Sequence, residues 1–100
     1  MIEVSTERLK QAVESQHGGR AVFVEWVPVK DVVQGKTVWE GLVHVFELEG
    51  HPSATRAYVW SCPIEGSDER LFHAVLHLGL IRSPLDAIRA VMAAERRATR

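Results

Sequence analysis

Two histidines stand four residues apart in LFHAVLHLG, at His73 and His77. A shared metal is the chemistry that such a pair first suggests. On a helix the two rings would sit about 6 Å apart, within reach of one zinc ion. On a strand the spacing grows to roughly 13 Å, too far for bonds near 2 Å to a common ion. The residues between them are Ala74, Val75 and Leu76, so the acid of an HExxH metalloprotease helix is missing. A second pair, Glu25 and His44, would suit acid–base work, because a carboxylate beside an imidazole raises its pKa. Cys62 is the chain's one cysteine. A reactive thiol needs a nearby base or a helix N-terminus, and WSCP supplies neither by itself. What these residues can do depends on the elements that carry them.

The stretch VSTERLKQAVESQHGG reads as a helix. Ser5 is placed to cap it, Glu7 faces the positive end of its dipole, and Gly18 or Gly19 ends it. Val4 and Leu9 occupy the staple positions around the cap, and Leu9, Ala12 and Val13 form a narrow apolar stripe. RAVFVEWVPVKDVV and KTVWEGLVHVFELEG are rich in valine and aromatic residues and read as two strands joined by a tight Gln34-Gly35 turn. If Val33 and Lys36 flank that turn, partner numbers sum to 69. Phe23 then faces Phe46, Trp26 faces Val43, and Glu25 and His44 become cross-strand neighbours about 5 Å apart between Cβ atoms. Pro28 lacks a ladder donor, which implies an edge strand or a bulge.

ATRAYVWSC reads as a third strand. Residues 68–78 are open to either assignment, since Ser67 followed by Asp68 and Glu69 could start a helix. The run from Arg70 to Leu78 is short, lies between turns and follows three strands, so a fourth strand is preferred. SPLDAIRAVMAAERR is a second helix, with Ser83 as cap, Pro84 at the first position and Asp86 three past the cap. Leu85, Ile88, Val91 and Met92 share one face. The expected fold is therefore α+β in the order α-β-β-β-β-α: a four-stranded antiparallel meander with both helices packed on one face. Residues 1–100 form a single domain.

Composition narrows the function classes. A net charge of −1 offers no long-range attraction to nucleic acid or an anionic membrane. The element order resembles, in outline, the double-stranded RNA-binding fold. That fold has three strands and lysines at the start of its last helix, where this chain reads SPLDAIRA. An RRM-like reading fails on Glu25, Glu40 and Glu47, which would repel a phosphate chain beside Phe23 and Phe46. Arg82, Arg89, Arg96, Arg97 and Arg100 could form a basic strip, although a solvated helix face explains them as well. Arginine outnumbers lysine nine to three, as a GC-rich bacterial genome would produce without any binding demand. One cysteine permits no internal disulfide, and MIEVSTERLK lacks the layout of a secretion signal, so a cytoplasmic protein is expected.

The three tryptophans are expected in the core. Phe23, Val27, Leu42, Phe46 and Leu48 then share the sheet face that the helices leave open. An apolar patch of that size seldom stays in water, so a homodimer formed face to face is expected. Phe23, Leu42, Phe46, His73 and His77 are the candidate ligand-binding residues of such a binding or structural module. The alternative is a small-molecule enzyme or ligand binder using Glu25 and His44 on that face or at the dimer interface. No nucleophile or glycine-rich loop accompanies that pair, so no catalytic set is complete. No metal, no cofactor, no nucleic acid and no membrane is expected as a partner.

Overall fold

The computed structural model describes residues 5–98. Val4 and Arg100, read above as part of a staple and of a basic strip, lie outside them. The elements are α1 (Thr6–His17), β1 (Arg20–Val33), β2 (Lys36–Glu49), β3 (Arg56–Pro63), β4 (Arg70–Leu76) and α2 (Pro84–Ala98). The strands form one antiparallel sheet in the order β1-β2-β3-β4. This is the α+β meander that the sequence implies, with residues 70–76 a strand.

The helices start where their caps are written. Ser5 Oγ accepts from Arg8 N at 3.2 Å, and Gly18 closes α1 at a φ of 80° that favours glycine. Ser83 Oγ accepts from Asp86 N at 3.1 Å. The Asp86 carboxylate reaches back one residue further than a capping box requires and accepts from Arg82 N. The β1–β2 turn has Gln34 at φ 51° and Gly35 at φ 77°, the doubly positive geometry that follows the twist of the two strands.

The helices divide between the two faces of the sheet instead of sharing one. Leu9 and Val13 of α1 pack with Phe46, Leu48, Val59 and Ala74. Ala87 and Ile88 of α2 pack with Val43, Val45, Tyr58 and Trp60. Successive strand residues point to opposite faces, so neighbours such as Val45 and Phe46, or Tyr58 and Val59, belong to different cores. The cause is composition. The run Ala57–Trp60 is apolar and buried at every position, and a strand of that kind needs cover on both sides.

Polar contacts fix each helix in place. Glu14 accepts from Ala21 N at 2.8 Å, where β1 begins. Gln16 donates to the Phe72 carbonyl, and His17 Nε2 donates to the Ala74 carbonyl at 2.6 Å. The C-terminal end of α1 thereby occupies alternate carbonyls of β4, an outer strand that would otherwise offer them to another chain. On the far face, Arg89 grips the buried Asp31 with two hydrogen bonds, at 3.1 and 3.3 Å, and ties α2 to β1.

The β1–β2 register departs from a uniform ladder at two places. Near the turn, Val33 faces Lys36 and Val32 faces Thr37, a sum of 69. Between Asp31 and Val32 the register shifts, with Val38 left over on β2, and the sum becomes 70 from Asp31–Trp39 to Glu25–Val45. Between Phe23 and Glu25 it shifts back, with Val24 left over on β1, and Phe23 faces Phe46 at a sum of 69 again. One bulge on each strand cancels the other. Both ends of the hairpin keep the expected pairing, while the middle is displaced by one residue.

Candidate functional site

The displaced middle of the hairpin separates the acid–base pair. Glu25 faces Val45, and His44 faces Trp26. With a period of two, a shift of one residue sends Glu25 to the α2 face and brings Trp26 to the α1 face beside His44. The expected Glu25–His44 neighbourhood is therefore replaced by Trp26–His44. Glu25 is solvent-exposed. His44 lies between aromatic rings, tilted against Phe23 at 5.6 Å and stacked near Phe46 at 6.5 Å. Its Nδ1 is buried without a hydrogen-bond partner among the described residues, and burial pushes its pKa below the ordinary histidine value. Such a ring is neutral at pH 7, and among the described residues no carboxylate pairs with it to exchange a proton.

The same shift redraws the open apolar face. Phe46 and Leu48 are sealed under α1 at 0% and 6% exposure, so Phe46 is core and not a ligand contact. Val27 moves to the α2 side and packs against that core. Phe23, Trp26 and Leu42 remain on the α1 face beyond the reach of the helix, at 38%, 58% and 50% exposure. The expectation that Trp26 is core does not hold. The bulge at Val24, which no residue in the sequence marks, carries it out to the surface.

His73 in β4 and His77, just past its end, lead separate lives. His73 stacks on Trp60 at 5.3 Å, and burial lowers its pKa against a smaller opposing pull from Glu95. His77 Nδ1 shares a 2.6 Å hydrogen bond with the hydroxyl of the buried Tyr58. Neither ring is directed at a common ligand. Cys62 faces Leu71 across the β3–β4 ladder and is half-buried beside the α2 core. Burial pushes its thiol pKa up, and the Trp39 side chain opposes that with a hydrogen bond. The thiol is thus a packed group held away from the reactive thiolate.

The feature that spacing does not reveal is a cavity of about 880 Å³ at the place where β2 and β3 part. These strands pair only from His44–Val59 to Glu47–Arg56. Beyond His44, β2 continues with β1 as a projecting hairpin arm, while β3 stays with β4. Trp39 lies across Gly41, where a Cβ would come within 2.9 Å of its ring, and meets Trp60 edge to face at 6.3 Å. A glycine inside a strand commonly marks such a close approach, and Gly41 was the available signal. Trp26 and Leu42 line one side of the cavity, Ser61 and Arg70 another, and the first turn of α1 a third. All three tryptophans of the chain thereby border one space. Comparison with protein families, with curated proteins and with solved structures found no match.

Proposed function

We propose that this chain is a self-associating binding module, and that the Phe23–Trp26–Leu42 patch meets its counterpart on a second copy. The observation that carries the reading is the exposure of three large apolar side chains together on one sheet face, next to a face otherwise closed by α1. Their exposed area amounts to roughly 350 Å² per chain, at the scale where a patch on a soluble monomer is commonly a contact site. Stable interfaces bury about 800 Å² per partner, so the patch would form the apolar centre of a larger, polar-rimmed contact. A two-fold axis through Trp26 would place the same residues on both sides.

Light scattering coupled to size exclusion tests this at micromolar concentration. The expected particle is twice the 11.2 kDa chain. Trp26→Glu is expected to yield folded monomers whose unfolding midpoint no longer depends on protein concentration, because Trp26 contributes little to either core. A wild-type chain that elutes as a monomer at high micromolar concentration overturns the reading. Phe46→Glu would not serve as the probe, because Phe46 is fully buried and its loss would unfold the chain.

A further inference from the structure

We propose that the cavity between the parted strands binds a planar aromatic acid, with its ring against Trp26 and Leu42 and its carboxylate or sulfonate on Arg70. The volume of about 880 Å³ lies in the range that holds small molecules, and the lining combines the three tryptophans and Leu42 with polar groups that include Ser61 and Arg70. Arg70 is fixed within it. Its Nε donates to Ser61 Oγ at 2.8 Å and its Nη2 to the Ser61 carbonyl at 3.2 Å. Those bonds hold the guanidinium to β3 and leave further N–H groups free, since an arginine carries five. Among the described residues no carboxylate lies within 4.0 Å of it, so its charge is not neutralised. A positioned, unpaired guanidinium at an apolar wall selects a flat anion that can accept two parallel hydrogen bonds.

The alternative occupant for a tryptophan-lined space is a cation held over ring faces. A cage of several open ring faces is not available for that. One face of Trp60 is covered by His73, and Trp39 lies over Gly41 with its edge contact to Trp60. Trp26 alone keeps a large exposed surface. Glu40, the one acidic residue of the lining, has Lys30 as its cross-strand neighbour. The ligand would share Trp26 and Leu42 with the proposed self-association contact, so it and a second copy compete for that wall; Arg70 lies outside the Phe23–Trp26–Leu42 patch, so its variants test ligand binding without altering that contact.

Isothermal titration with 2-naphthoate and its neutral amide, 2-naphthamide, tests the assignment on the full chain. Naphthoate is expected to bind with a Kd on the order of 0.1 mM and the amide about tenfold more weakly. Arg70→Gln should reduce naphthoate binding about tenfold and leave the amide unchanged. Arg70→Lys keeps the charge without the fork and should fall between the two, which preserves the test if the glutamine variant is poorly folded. Trp26→Ala should weaken both ligands alike. Absence of heat with naphthoate at millimolar concentration overturns the proposal. So does equal binding of naphthoate to wild type and to a folded Arg70→Gln.

Discussion

Val45 and Phe46 are adjacent in β2, yet they belong to cores on opposite sides of the sheet. Truncating each in turn is therefore a direct test of a sheet covered on both faces. Val45→Ala removes two methyl groups from a site 4% exposed, which costs about 1.5 kcal/mol in transfer and about 2 kcal/mol once the residual cavity is counted. Phe46→Ala empties a site with 0% exposure and costs about 3–5 kcal/mol. Glu47, the next residue, is exposed, and its alanine variant should stay within about 0.5 kcal/mol of wild type. Urea unfolding followed by far-ultraviolet dichroism reads all three, and an unchanged m-value shows that the shift in midpoint is a shift in stability. In a domain of this size the two core variants should melt roughly 10 and 20 °C below wild type. If either Val45→Ala or Phe46→Ala is as harmless as Glu47→Ala, one face of β2 is bare and the opposed-helix arrangement is wrong.

Two further outcomes follow from local chemistry. The folded chain holds the His44 and His73 rings at depressed pKa values, chiefly because burial disfavours the charged form. Between those values and the ordinary 6.5 the unfolded chain binds more protons, so this contribution to stability is fully present above pH 6.5 and is lost as pH falls toward the depressed values. Urea midpoints across pH 5 to 8 should show that decline, and replacing both histidines with glutamine should flatten it; an identical slope in the double variant refutes the assignment. Gln34 holds a φ of 51° in the hairpin turn, where glycine or asparagine is less strained. Gln34→Gly should raise stability by about 0.5–1 kcal/mol in the same urea assay, and a loss would show that the Gln34 side chain supports the turn.

The elements were legible because each carries its own local signal. Ser5 and Ser83 cap helices, Gln34-Gly35 turns the hairpin, and the short apolar run from Arg70 between two turns makes a strand. The division of the helices was written too, in the unbroken burial of Ala57–Trp60, but it competes with the common pattern in which an antiparallel sheet keeps one wet face. The site was less legible. Glu25, Trp26 and Val27 have their faces set by a bulge at Val24, and nothing about one valine among several identifies it as the residue left out of the ladder. The cavity depends on where two strands stop pairing, which is a property of four segments together. Arg70 gains its role only because Ser61 stands beside it across β3 and β4.

The paired bulges connect these facts. A uniform ladder would leave Trp26 on the α2 face and Glu25 beside His44, an ion pair on an open sheet of small energetic worth. With Val38 and Val24 left over on opposite strands, the ends of the hairpin keep their register, so Ala21, Phe46 and Leu48 still reach the α1 core, while Asp31, inside the displaced segment, is turned toward Arg89. Only the segment between the bulges is turned over. That inversion places Val27 and Val29 against the α2 core. It also moves Trp26 onto the opposite face, where it joins Phe23 and Leu42 at the surface and borders the cavity. Two residues added to the ladder thus complete a core on one side of the arm and leave a binding surface on the other.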